Sequence, residues 1–279
     1  AAWPASSPEV LSGRKLTALE PALAADLVAC RLAIGYPVEP ASATEAFADL
    51  ARRRGVDVRV GGGPARPAMV RGRAVGVVRR GVVEAAGSIV VTAGPWTPDV
   101  VDPTGAWRPI RPSWGVVAAV VVPGAPRHAL EAIDISIEPG AESDPAISRE
   151  PDLAVDFSLA PAIGSSALGS TFLPDEPNPE AWIDALRRVG SRYVPAIADA
   201  RMIGVRHCAR PVSLDGRPLV GRAPWADGLW ILAGHGPWGI STGPGSARLL
   251  ARAILDPADA RRIPHALRVD RFASPPRPG

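Results

Sequence analysis

The chain has 279 residues, 47% hydrophobic and 21% charged, a balance that suits a globular protein of one large domain or two interleaved ones. No apolar run reaches the about 18 residues of a membrane span, and no secretory signal opens the sequence. The two cysteines, Cys30 and Cys208, are too few for a disulfide framework, so the expected compartment is a reducing cytoplasm. The formal net charge of +3 rests on scattered arginines with Lys15 the sole lysine, and no basic stripe with interleaved aromatics points to nucleic acid. The sequence begins Ala1-Ala2-Trp3 in polar, Pro-rich material without an initiator methionine, as a piece of a longer polypeptide would.

The first clear element is a helix over 42–54, with Ser42 as N-cap, Glu45 three residues on, and Phe47, Leu50 and Ala51 on one apolar face. Gly55 ends it, and Val56-Asp57-Val58-Arg59-Val60 alternates with period two, predicting a strand. Residues 69–94 predict two or three short strands, then the β-branched run Ile89-Val90-Val91, which suits a strand buried on both faces. From about Pro103 to Gly204 the runs 116–122, 153–159 and 166–173 lie between Pro/Gly-rich turns and favour an antiparallel sheet. One amphipathic helix interrupts them at 179–194, with Trp182, Leu186 and Val189 on one side. Last come RPVSLDGRPLVG (210–221), a strand LWILAG, a glycine loop and a helix through Leu255.

The glycine loop, Gly234-His235-Gly236-Pro237-Trp238-Gly239, fits G-x-G-x-x-G. A dinucleotide fingerprint also needs a second strand and an acidic residue about 20 residues on. Asp256 and Asp259 lie near that distance, but ILDPADARRIP carries no strand, so the fingerprint fails. A strand running through glycines into a helix still points backbone N–H groups and the positive helix end at one place, a setting for an anion or an electron-rich ring edge. Tight-turn geometry needs the same glycines. Ser241 or Thr242 is the expected helix cap, and Ala247, Leu250, Ala251 and Ile254 the expected core face.

With its neighbours, this stretch resembles the C-terminal part of the D-amino-acid-oxidase-like family of FAD-dependent oxidoreductases, which includes glycine and sarcosine oxidases and amino-acid dehydrogenases. The matching residues are Arg210-Pro211, Asp215-Gly216, Pro218, Gly221 and Gly234 to Ile240. IVVTAGPWTP (89–98) is similar to the family's second flavin-contact segment, and LEPAL (19–23) and residues 38–58 follow weaker landmarks in the right order. The family's opening βαβ unit, with the true G-x-G-x-x-G for the FAD pyrophosphate, has no counterpart here, since Gly61-Gly62-Gly63 runs into Pro64.

The resemblance implies a mixed α/β fold, the remnant of an FAD-binding Rossmann-like domain interleaved with an antiparallel-sheet substrate domain. Segments 39–102 and 205–258 would form the FAD part, 1–38 and 103–204 the substrate part, and 259–279 a flexible tail. It implies FAD as cofactor, with Gly234, His235, Gly236, Trp238, Gly239, Ile240, Ser241 and Thr242 passing the flavin ring. Ala93, Gly94 and Trp96 would pass close by, with Trp96 as a core aromatic the alternative. Arg210 would clamp a substrate carboxylate, or else pair structurally with a carboxylate such as Asp215. His235 is either a catalytic-site neighbour of the cofactor or a backbone-bonded residue. Cys208, seven residues before Asp215, stands where some relatives attach FAD covalently, whereas a lone Cys is commonly an inert small hydrophobe.

The implied reaction is hydride transfer from the α-carbon of an amine or amino acid to flavin N5. Alternatives are a hydroxy-acid oxidoreductase, or a non-catalytic or split chain whose partner polypeptide supplies the missing unit. His128, His207, His235 and His265 are dispersed, with no H-x-x-x-H or C-x-x-C, so no metal is expected.

Overall fold

The computed structural model of the chain describes residues 8–33, 37–133, 151–256, 258 and 261–272. In chain order the first elements are β1 (Glu9–Ser12), α1 (Gly13–Leu19), β2 (Val28–Arg31), α2 (Pro40–Arg53), β3 (Ala65–Val70), β4 (Arg73–Arg79), β5 (Val82–Ala85) and β6 (Ile89–Val91). Then follow α3 (Thr97–Val101), β7 (Ile110–Val121), β8 (Leu130–Glu131), β9 (Val155–Ala160), β10 (Ser166–Thr171), α4 (Ile183–Tyr193) and β11 (Arg201–Ser213). The last are β12 (Leu219–Arg222), β13 (Leu229–Ala233) and α5 (Gly239–Leu255). The fold is mixed α/β with antiparallel sheets. Two compact units divide it, Ala1–Glu39 with Trp114–Cys208, and Pro40–Ser113 with Ala209–Gly279.

The first unit holds the hairpin β1–β2 and a sheet in the order β11-β7-β10-β9-β8. Alternation along β7, β9 and β10 turns Val116, Ala118, Val120, Phe157, Leu159 and Leu168 inward, where each is almost fully buried. Helix α4 lays Leu186 and Val189 on that layer with Trp182 at the edge, as its spacing predicts, and Phe157 stacks on Tyr193 at 4.3 Å. The buried Glu20 carboxylate accepts hydrogen bonds from the amides of Arg127 (2.9 Å) and His128 (3.1 Å). Residues 134–150 of the expected substrate segment lie outside the described residues.

The second unit holds the meander β3-β4-β5 and a sheet in the order β12-β13-β6. Strand β13 runs parallel to β6, Leu229 opposite Ile89 and Ile231 opposite Val91, and antiparallel to β12. Leu229, Ile231, Ile89, Val91, Leu219 and Trp107 form the core on one face, while α5 covers Val220 on the other with Leu250 and Ala253.

Several expectations change here. Helix α2 begins at Pro40, so Ser42 lies inside it, because proline fits the first helical turn without losing an intrahelical bond. Its apolar face is uncovered, with Phe47 58% and Leu50 42% exposed. Residues 56–60 form no strand: a β pattern needs a neighbour for its ladder, and none lies beside it among the described residues. Arg59 instead ties the segment to β5 through Glu84. The expected tail is packed as far as Phe272, with Ile263 and Val269 buried; residues 273–279 lie outside the described residues.

Candidate functional site

The parallel pairing of β6 and β13 brings two glycine turns to one edge of the sheet. Both strands end on a small residue, Ala93 after β6 and Ala233 in β13, and each continues through a glycine with positive φ: Gly94 at +59° and Gly234 at +79°. Each turn then makes a short 3-10 segment, Gly94–Trp96 and Gly236–Trp238, leading into α3 and α5. The chain thus delivers two helix starts side by side, each preceded by the same G-P-W triplet.

The glycines are required for different reasons. A Cβ on Gly234 would lie 2.9 Å from Leu219 Cδ1, so a side chain there would force the fully buried Leu219 to shift, on top of the strain of the positive φ. Gly94 has open space around it and a Cβ on Gly236 (φ +55°) would meet only Val212 Cγ2 at an ordinary 3.9 Å, so both need glycine for conformation alone.

Helix α5 has 17 residues, and its start carries no side-chain cap and no acidic residue in the first turn. Ser241 and Thr242, the expected caps, lie within the helix, which starts at Gly239 because Trp238 adopts the flanking conformation. The Thr242 hydroxyl donates backward to the Trp238 carbonyl at 2.8 Å. The first amides of α5 and its partial positive charge therefore remain available to a ligand. The inward face is Leu249, Leu250, Ala253 and Ile254; Ala247 and Ala251 are exposed, a rotation caused by the packing of Leu250 and Ala253 on Val220.

His235 sits between the two turn glycines, its backbone bridged to Val212 of β11. Its Nε2 is buried without a hydrogen-bond partner, and burial pulls the imidazole below its ordinary pKa of 6.5, so the ring is neutral near pH 7. Thr97 Oγ1, directly after Trp96, is likewise buried and unpartnered, a residue that pattern reading missed although its hydroxyl follows the G-P-W triplet. Trp96 and Trp238 are 59% and 60% exposed, which removes the core-aromatic alternative for Trp96; Ile240 is also exposed.

Arg210 lies on β11, half-buried, two residues before Val212 and hence on the same strand face. Asp215 is gripped by Arg271, with Nε to Oδ2 at 2.7 Å and Nη2 to Oδ1 at 2.9 Å, and accepts from Ser213 Oγ and the Arg217 amide. This fork holds the Asp215 carboxyl below its ordinary range. Arg271 is invisible to pattern reading because it lies 56 residues from its partner. Cys208 is exposed and belongs to the other unit.

Residues 1–253 match the profile of the family described as DAO, FAD dependent oxidoreductase. The chain belongs to this family. A D-amino acid dehydrogenase of Cereibacter sphaeroides is 30% identical over 235 residues, which is 84% of this chain and 50% of that protein. A glycine oxidase of Pseudomonas aeruginosa is 30% identical over 178 residues, 61% of this chain and 44% of that protein. Among solved structures, glycine oxidase from Geobacillus kaustophilus matches 99% of this chain and 68% of its own at a TM-score of 0.72 and 20% identity. Iminodiacetate oxidase from Chelativorans sp. gives 0.72 at 22% identity over 89% of this chain and 63% of its own. This member of the DAO family spans about half the length of the curated relatives it matches.

The residues present fit the ring end of an FAD. An uncapped helix start, two turns open to close approach and the orphaned His235 Nε2 meet on one sheet edge. They do not fit the pyrophosphate, for no G-x-G-x-x-G continues into a complete βαβ unit among the described residues. Among those residues there is also no group of three or more His, Cys, Asp or Glu that could hold a metal, and no helix long and apolar enough to cross a membrane.

Proposed function

We propose that this chain forms the flavin-ring side of an FAD-dependent oxidoreductase acting on an amino acid or a related amine. The observation that carries this is the paired glycine turns at the ends of β6 and β13, with the uncapped start of α5. Bound FAD supplies the hydride acceptor. The amides of Gly239, Ile240 and Ser241 and the α5 dipole favour negative charge on the ring edge that gains electrons. Ala93, Gly94 and Gly236 keep the approach free of side chains, and Trp96, Trp238 and Thr242 border it. His235, held neutral, offers a hydrogen bond without adding charge. Arg210 binds the substrate carboxylate and orients the α-carbon. The amine enters neutral, so no dedicated side-chain base is needed.

The test is anaerobic mixing of FAD-loaded protein with D-alanine or glycine, following loss of the oxidised flavin band. Arg210→Met should weaken apparent substrate binding roughly 10- to 100-fold, the worth of a charge-assisted bond, while FAD stays bound. An equal effect on a neutral amine would remove Arg210 from the carboxylate. Covalent attachment through Cys208 is checked by acid precipitation: yellow colour left in the supernatant rejects it.

A second reading is a split arrangement, in which flavin binding needs polypeptide beyond these 279 residues. It is favoured by the uncovered face of α2, where Ala43 and Phe47 line an open apolar groove of about 400 Å³ together with Ile240, Pro244 and Ala247 of α5. FAD binding by this chain alone, at micromolar affinity, would set that reading aside.

A further inference from the structure

A cleft of about 780 Å³ opens in the second unit at the opposite edge of the same sheet. It is lined by Gly87, Ser88 and Gly228, which directly precede β6 and β13, whereas Gly94 and Gly234 follow those strands. The length of β13 therefore separates it from the glycine turns by roughly 15 Å. Nothing in the flavin reading uses it.

Its charge is lopsided. Arg73, Arg222, Arg261 and Arg268 line the cleft, against Asp227 and Asp270. Arg222 pairs with Asp227 and Arg268 with Asp270. Arg73 and Arg261 form no ion pair among the described residues, so the described lining carries an excess of positive charge. One wall is apolar: Trp230, Ile254 and Ile263 border it and pack on Val220 and Leu250. Arginines that offer forked donors beside an aromatic wall suit a phosphate group on an organic body.

We propose that this cleft binds a phosphate-bearing organic anion of nucleotide size, its phosphates held by Arg73 and Arg261 and its body against Trp230. The site is independent of the flavin reading, since none of its residues lies in the glycine turns.

The probe is ADP, with adenosine as the uncharged control. The chain has eight tryptophans, and their indole N–H signals are resolved by two-dimensional NMR, with Trp230→Phe assigning the relevant one. ADP should shift the Trp230 signal saturably, and adenosine should not. The double variant Arg73→Ala/Arg261→Ala should weaken ADP at least tenfold while leaving the other indole signals in place. Asp227→Asn, which leaves Arg222 uncompensated, should tighten it. A Trp230 signal unmoved by millimolar ADP, or equal affinity in the double variant, would overturn the proposal. So would equal binding of adenosine.

Discussion

Gly234 carries two constraints where Gly236 carries one. Both have positive φ, but only Gly234 faces a side chain within 3 Å of where a Cβ would stand. Gly234→Ala should cost roughly 2–4 kcal/mol of stability and Gly236→Ala about 1–2 kcal/mol, read by urea unfolding. Equal losses would show that the Leu219 contact does not restrict the turn. His235 gives a pH signature. Its folded pKa lies below the unfolded value of 6.5, so above that pH both states are neutral and its contribution to stability is fully present. As pH falls through 6.5 the unfolded chain takes a proton that the buried ring refuses, and stability falls. His235→Gln should flatten the decline between pH 7 and 5; an unchanged slope would place the burial elsewhere.

At the scale of elements, the clasp of Asp215 by Arg271 fastens the C-terminal segment to the β11–β12 turn. Arg271 is nearly buried and also donates to the carbonyls of Arg217 (2.7 Å) and Arg268 (2.9 Å). Arg271→Ala should destabilise by roughly 2–4 kcal/mol in urea unfolding, and Arg271→Lys should recover only part, since an ammonium cannot reproduce the fork. Full recovery by lysine would reduce the clasp to simple charge. The same segment shows where sequence stops informing. Strand β13, helix α5 and the α4 face were legible because long apolar runs with glycine or proline boundaries have one reading. The α5 core face kept Leu250 and Ile254 but exchanged Ala247 and Ala251 for Leu249 and Ala253, because alanines signal a face weakly. Residues 56–60 read as a strand because alternation is local, while the partner strand a ladder needs is not. Arg271 was illegible because a pairing across 56 residues leaves no local trace, and the orphaned Thr97 hydroxyl is visible only once burial is known.

At the scale of the whole molecule, the chain is two compact units, and the second contains the glycine turns proposed to meet the flavin ring. Membership of the DAO family rests on a match over residues 1–253, and the fold is shared with solved oxidases. The paired glycine turns, proposed to face the flavin ring, are present among the described residues; a G-x-G-x-x-G opening a complete βαβ unit is not. The most direct test is visible absorbance of the purified chain titrated with FAD, followed by gel filtration. With the flavin ring seated at the glycine turns, a shifted flavin band should travel with the protein and weaken when a side chain is placed on the turn in Gly236→Val. A band identical to free FAD that separates completely from the protein would contradict it.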